Sequence, residues 1–511
     1  MIHLPLLPVL VPLVAAILQL ALHRAGPGLA RGLGLASVAL LALASALLLR
    51  ATGDGGVIPV QLGNWPAPFG ITFVADRLAA TMVAVTTAVA IPALLAATDG
   101  TDRMGRHFHP FFQLQLAGLN GAFLTGDLFN LFVFFEVLLI ASYGLLAHGG
   151  GPARARTGLH YVALNLAGSI LFLFALGLLY GTLGTLNLAD VAGRLATVPE
   201  ADQPLVRTAL ALMLGVFAFK AAILPLGFWL PHAYAAASAP VAALYAVLTK
   251  VGIYAMLRLS ATALAGTPWT ADLLAPWLMP AALGTVVVAT LGVLAARRLG
   301  PMVAHLLLLS TGMLAVGVAV GGPAMLAALL YYLPHTTLVS AALFLLVGRI
   351  VAWRGEAADR IEHGPRPPGA GWLAAAFLAL AIAVTGLPPL SGFLGKVMML
   401  AAAPATPTGY VIWGSFILSG FVGALAMARA ASVLFWEPVG PLREAPPGPA
   451  GRARADLALA LSLAFVPLLV LGAAPLSAHA QATAEQIAAR RPYLEAVLPD
   501  GSAPVARERR P

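Results

Sequence analysis

The sequence contains no cysteine and only three lysines in 511 residues. Without cysteine there is no disulfide, no thiolate metal site and no cysteine-held iron–sulfur cluster. Charge of either sign is scarce: 10% of residues are charged, against roughly 25% in soluble proteins. Hydrophobic residues make up 60% of the chain and the mean hydropathy is +0.91. These values fit a polytopic membrane protein. The net charge of +9 does not point to nucleic acid, because no basic run is interleaved with stacking aromatics and the arginines cluster between apolar runs. Long soluble segments are missing as well. An ordinary nucleotide site therefore has nowhere to sit, and energy must come from an ion gradient or a partner chain. The N-terminal MIHLPLLPVLVPLVAAILQLALHR has neither the basic start nor the cleavage site of a signal peptide and reads as a first span.

What is present is most informative at the lysines. All three lie inside apolar stretches: Lys220 in GVFAFKAAILPLGFW, Lys250 in ALYAVLTKVGIYAML and Lys396 in GLPPLSGFLGKVMML. The remaining 26 of the 29 basic residues are arginines, most of them in polar gaps. A composition bias toward arginine would remove lysine wherever arginine serves. A guanidinium stays protonated, whereas a desolvated ammonium can release its proton near neutral pH. The three surviving lysines mark places that need an amine able to lose its charge.

A span needs roughly 20 apolar residues. Apolar runs near 3–22, 29–49, 72–97, 110–126, 128–147, 158–180, 206–226, 239–262, 271–296, 299–319, 323–348, 371–400, 408–435 and 455–474 predict an all-α protein of about 14 transmembrane helices. Residues 51–70 suggest a hairpin outside the membrane, 186–198 a helix along the interface, and the tail after 475 an amphipathic helix with a frayed end. The gaps after spans 1, 3, 5, 9, 11 and 13 hold Arg24 and Arg31, Arg103 and Arg106, Arg154 and Arg156, Arg297 and Arg298, a group from Arg349 to Arg366, then Arg443, Arg452 and Arg454. Cytoplasmic loops carry the excess of Lys and Arg. The odd gaps are thus expected to face the cytoplasm and both termini the other side. The gap after span 7, which has no arginine, and the arginines of the tail strain this assignment.

Proline is expected to interrupt helices at Pro225, at Pro334 and at the pair Pro388 and Pro389, since each proline leaves a carbonyl four residues earlier without its partner. Within a membrane such backbone survives only where protein or water satisfies it. The sequence LPLGF at 224–228 is echoed by LPPLSGF at 387–393. Five spans separate the copies, and an odd number implies opposite orientation, as in the inverted repeats of secondary transporters. Two inverted five-helix repeats follow, over 110–262 and 271–437, flanked by helices in 1–109 and by a last helix and tail in 455–511.

Glu136 lies midway along an apolar run, where a carboxylate is costly unless paired or protonated. Lys220 is its natural partner. His335 is embedded and imidazole titrates near neutral pH. Asp127, His232 and His305 are accessory candidates, with N-capping the main role for Asp127. Arg258 and Glu437 read as boundary residues. No enzyme motif is present: GLPPLSGFLGKV lacks the first glycine and the Ser or Thr of a phosphate loop, HExxH and GxSxG do not occur, and the His107-x-His109 turn has no further ligands to make a metal site. No cofactor is expected.

At this point the residues carry a likeness. Glu136 in FFEVLLIASYGLL, Lys220 before ILPLGFWLP, SAPVAALYAVLTKVGIYAMLR around Lys250 and TGLPPLSGFLGK around Lys396 resemble the proton-translocating antiporter-like membrane subunits. That family includes the large membrane subunits of respiratory complex I and subunits of Mrp-type cation/proton antiporters. The stretch HFHPFFQLQLAGLNGAFLTGDLFNLFVFFEVLLIASYGLL looks most like the D subunits of the Mrp type. The resemblance implies a fold of fourteen helices with two inverted five-helix repeats and broken helices, and a proton route through Glu136, Lys220, Lys250, His335 and Lys396. Ser340 stands where many relatives carry a further lysine. The resemblance also implies the partners: other subunits of a hetero-oligomeric complex in a bacterial inner membrane, with H⁺ and Na⁺ or K⁺ as the transported ions. The alternative reading is a proton-pumping membrane subunit of a complex I-like oxidoreductase or membrane-bound hydrogenase.

Overall fold

A computed structural model of the protein describes residues 3–67, 69–364, 370–437 and 451–498; Arg366, Arg443 and the tail beyond 498 lie outside these residues. The chain is helical almost throughout. Helices α1 (Leu7–Ala21) and α2 (Pro27–Thr52) lead into a two-stranded antiparallel sheet, β1 (Ile58–Gln61) with β2 (Thr72–Ala75), in which Ile58 faces Ala75 and Gln61 faces Thr72. The helices α3 (Arg77–Ala97), α4 (Phe108–Leu124), α5 (Leu128–Ala147) and α6 (Pro152–Leu183) follow. A short α7 (Leu188–Leu195) precedes α8 (Gln203–Lys220), α9 (Trp229–Ala236), α10 (Ala239–Tyr245) and α11 (Leu248–Thr262). Next come α12 (Pro268–Ala271), α13 (Ala275–Ala295), α14 (Leu299–Val320), α15 (Pro323–Arg354), α16 (Ala370–Thr385), α17 (Ser391–Ala401) and α18 (Pro407–Ala431). The described residues end in α19 (Gly451–Leu471), α20 (Ala473–Ala489) and α21 (Arg491–Val497).

Twelve helical stretches among the described residues are long and apolar enough to cross a membrane. The two further stretches expected from the sequence are α4, which has 17 residues, and the divided pair α16 and α17. The stretch α10–α11 is buried throughout its apolar window, and α14 nearly so. These helices are apolar on all sides and form the centre of the bundle. By contrast α2, α6, α13 and α18 leave Leu40, Phe174, Leu291 and Phe421 exposed on outward faces, as lipid contact requires. In hydrocarbon every backbone polar group must be satisfied internally, and a helix does so within a single segment, which suits the long apolar runs of this chain.

Capping explains several boundaries. Asp76 accepts from Ala79 N and starts α3; Asp127 accepts from Asn130 N and starts α5. Asn187 accepts from the N–H groups of Ala189 and Asp190 and starts α7. Residues 72–75, expected as the start of a span, instead pair with β1, and Phe73 also bridges Thr125. The helix expected after 475 is present as α20 and is followed by α21; the rest of the expected frayed end lies outside the described residues. After the turn at Gly472, α20 lies against α15, His479 meets Thr81 Oγ1 at 2.9 Å and Gln486 accepts from Arg77 N at 3.1 Å.

The proline expectations divide. Chain direction changes at Pro225 and at Pro388–Pro389, where α8 gives way to α9 and α16 to α17. Pro334 does not break its helix: α15 runs through it for 32 residues. A single missing N–H removes one bond, and here both flanking turns are fully buried against neighbouring helices. An interruption without an internal proline occurs instead in the Lys250 span, where Ala246 N and Lys250 N bond three residues back, to Ala243 O and Val247 O.

Candidate functional site

Lys220 is the last residue of α8, buried, with its Nζ directed at α6. It donates to Asn165 O at 3.2 Å, Asn165 Oδ1 at 3.4 Å and Ser169 Oγ at 3.3 Å. The helix ends there because the next residues cannot continue it: Ala222 has φ +58° and Pro225 has no N–H. The freed groups find partners at the end of α8 itself and on a neighbouring helix. Ile223 N bonds Ala218 O, and Leu224 N donates to Thr285 Oγ1 of α13 at 2.8 Å. A Cβ at Gly227 would collide with Ala222 O, so only glycine closes this turn.

Glu136 lies on α5, half-buried, with Oε1 buried and without a hydrogen-bond partner. It stands close enough to Lys220 for their charges to interact, but the two form no ion pair within 4 Å. The expected direct partnership is thus replaced by polar groups of α6. Around this gap Phe135 stacks on Phe217, centroids 6.2 Å apart, and Phe172 packs edge-on against both.

Lys250 sits in the first turn of α11, fully buried, and its Nζ has no hydrogen-bond partner. A buried ammonium without partners is costly; the neutral amine or bound water relieves it. The neighbouring Thr249 Oγ1 accepts from Thr311 Oγ1 of α14 at 3.4 Å. Two residues on, Gly252 brings α11 against the end of α8: a Cβ there would lie 2.6 Å from Ala221 N and from Phe217 O. The absence of a side chain is what lets the two lysine-bearing segments touch.

His335 on α15 meets Ser391 Oγ, the first residue of α17, through Nδ1 at 2.8 Å. Its Nε2 lies over Gly392, where a Cβ would be 2.8 Å away. Lys396 reaches back along α17 and donates from Nζ to Thr385 O at 2.7 Å, the C-terminal carbonyl of α16. That end of a helix carries partial negative charge and favours a cation. Ser340, one and a half turns after His335, is buried with an unpartnered Oγ.

These residues occupy successive helices in contact: α5, α6, α8, α11, α14, α15 and α17. The accessory candidates lie elsewhere. Asp127 caps α5. His232 is exposed on α9 and bonds Phe228 O, and His305 on α14 bonds Pro301 O. Among the described residues no group of His, Cys, Asp and Glu could hold a metal ion.

Residues 125–422 match the family model described as NADH:quinone oxidoreductase/Mrp antiporter, transmembrane. The chain belongs to this family. Among family members it is similar to a probable K⁺/H⁺ antiporter D subunit of Rhizobium meliloti (strain 1021), 40% identical over 85% of this chain and 87% of that one. It is also similar to a Na⁺/H⁺ antiporter D subunit of Bacillus subtilis (strain 168), 35% identical over 96% and 99%. Of solved structures, a chain of the Mrp complex from Dietzia sp. DQ12-45-1b superposes with a TM-score of 0.84 at 28% identity, covering 97% of this chain and 99% of that chain. A chain of an archaeal membrane-bound sulfane sulfur reductase gives 0.87 at 25% identity, covering 98% and 100%.

Several polar groups of this family member are not singled out by sequence alone. Asn165 and Ser169, four residues apart on one face of α6, form a legible pair in an otherwise apolar run. Arg258, read from sequence as a boundary residue, is buried and donates bidentately to Asp76, the N-cap of α3, at 2.5 and 2.7 Å, between the rings of Tyr254 and Tyr493. No spacing signals that partnership, since Asp76 is 182 residues away.

Proposed function

We propose that the chain is the D subunit of a multi-subunit monovalent cation/proton antiporter and carries protons through Glu136, Lys220, Lys250, His335 and Lys396. One observation carries the reading: every lysine of the chain is buried in a single file of contacting helices, and each of the three lies beside an interrupted helix. Curated relatives of nearly the same length are named for Na⁺/H⁺ or K⁺/H⁺ antiport. The likeness of fold extends to redox complexes, so the identity of the co-purifying chains separates the two settings.

In this reading Glu136 holds a positive charge on Lys220, while Asn165 and Ser169 hold the amine when that charge is shared or lost. Losing the carboxylate's influence favours the neutral amine by desolvation, and the proton moves on through water to Lys250. Lys250, with no fixed partner, is a relay and not a resting site. His335 and Ser391 pass it to Lys396, whose ammonium is held by the α16 terminus. The groups titrate as a coupled set. We place the arginine-rich ends in the cytoplasm and count α4 and α16–α17 with the twelve long helices as fourteen spans. The segments 110–262 and 271–437 then form inverted repeats, with their broken helices at Pro225 and Pro388–Pro389.

The test is cation-driven ΔpH in vesicles holding the assembled complex. Lys220→Ala and Glu136→Ala should each abolish it while assembly persists. Unchanged antiport in either assembled variant would remove the assignment.

A further inference from the structure

Away from the buried file, two cavities open side by side on the arginine-bearing end of the bundle. The first, about 510 Å³, is lined by Arg154, Thr157, His232, Arg298 and His305 together with the backbone of Gly150 and Gly151. The second, about 380 Å³, shares Thr157 and His232 and adds Arg156, His160 and Tyr161. Among the described residues no acidic side chain lines either cavity. Asp359, the partner of Arg298, is engaged: Oδ1 accepts from Arg298 and Oδ2 from Gly300 N.

The donors are held in place. Arg154 gives Nε to Ala236 O and Nη1 to His148 O, which fixes the guanidinium and leaves Nη2 unassigned. His160, His232 and His305 are each pinned through Nδ1 to the carbonyl four residues earlier. Only in the imidazolium form do both ring nitrogens donate, Nδ1 to that carbonyl and Nε2 to an anion. Arg156 has no described partner for its side chain. Such a convergence of cations at a membrane surface selects phosphate.

The surroundings are apolar. Leu164 and Phe228 line the second cavity and expose their side chains on the outer face of the bundle. A third, narrower cavity continues from His232 and His305 along Leu224, Phe228, Val288 and Leu308. It runs beside the break between α8 and α9.

We propose that this surface binds an anionic phospholipid with two phosphates. One phosphate occupies each cavity, His232 and Thr157 lie between them, and acyl chains follow Phe228, Leu224 and Val288. A free phosphate ion would use the cations but has no use for the apolar groove. The wall between the headgroup and the chains is α9, the segment that follows the Lys220 break. Occupancy by lipid therefore holds α9 against α13 and α14. The inference stands independently of the proposed ion route.

Lipid retention by the purified, delipidated complex tests it, measured by native mass spectrometry with cardiolipin, phosphatidylglycerol or phosphatidylcholine of matched chains. The wild type should retain cardiolipin above phosphatidylglycerol and retain phosphatidylcholine least. Arg156→Gln should weaken cardiolipin about fivefold, the worth of one surface cation, and Arg156→Gln with His160→Gln more. Both positions are exposed, and phosphatidylcholine binding should not change. Equal cardiolipin retention by the wild type and the double variant would overturn the proposal. Displacement of cardiolipin by millimolar glycerol phosphate would overturn it in favour of a free-phosphate site. Cross-linking of position 156 to an acidic segment of a neighbouring subunit, with no lipid retained, would overturn it in favour of a protein contact.

Discussion

Gly252→Ala isolates the role of helix proximity at the site. The substitution adds one methyl group, changes no charge and removes no hydrogen bond. Its Cβ would sit 2.6 Å from Ala221 N and Phe217 O, and ordinary contact begins at 3.4 Å. Both obstructing atoms are backbone, so no rotamer relieves them. The start of α11 must move from the end of α8 by about 0.8 Å, at an overpacking cost of about 1–3 kcal/mol. Lys220 and Lys250 are one and two residues from the atoms that separate. Misplacement by 1 Å costs a positioned reaction on the order of 100-fold, and transfer through ordered water depends on alignment in the same way. We expect antiport by the assembled complex to fall by roughly 10- to 100-fold, measured as initial rates of cation-driven ΔpH per assembled complex in vesicles. Gly215→Ala is the matched control: it is on α8, the helix that Gly252 abuts, and its Cβ would meet nothing within 4 Å, so it should transport like the wild type. Full transport by assembled Gly252→Ala would refute the requirement for close approach.

Two further predictions concern stability. Asp76→Asn leaves Arg258 buried without its carboxylate and should lower stability by about 3–5 kcal/mol, read as a lower thermal midpoint in detergent; the double replacement Asp76→Leu with Arg258→Leu should recover most of this apart from about 1 kcal/mol for the lost N-cap. At the other end of α3, burial opposes the charge of Asp102, yet hydrogen bonds and charges from Arg31 and His109 hold its carboxyl well below the usual range. That stabilisation is full above the unfolded carboxylate value, about pH 4, and is lost as pH falls toward the depressed folded value. Arg31→Gln should therefore destabilise by about 3 kcal/mol at pH 7, and the difference between its melting curve and the wild type's should shrink below about pH 4.

The three lysines, Glu136 and two of the proline interruptions were visible in the sequence because each puts a polar or hydrogen-bond-deficient group where hydrocarbon forbids it. Pro334 carried the same local signal and did not act on it, because one lost bond is small beside the burial of a 32-residue helix. The interruption ahead of Lys250 carried no internal proline and was invisible. Partner choice was also beyond the sequence. Lys220 finds Asn165 and Ser169 before Glu136, and Arg258 finds Asp76 across 182 residues, because packing of distant helices decides which polar groups meet. Glycines such as Gly252 and Gly392 carry no signal in the sequence alone. Their meaning is contact distance, which appears only once the helices are assembled.

The central claim is that the buried lysines serve by giving up a proton. Lys250→Arg tests it most directly, since Nζ of Lys250 has no fixed partner to lose and guanidinium retains charge while refusing to deprotonate. Initial rates of cation-driven ΔpH in vesicles, normalised to assembled complex, should fall to the level of empty vesicles. Transport at the wild-type rate by an assembled Lys250→Arg complex would contradict the account.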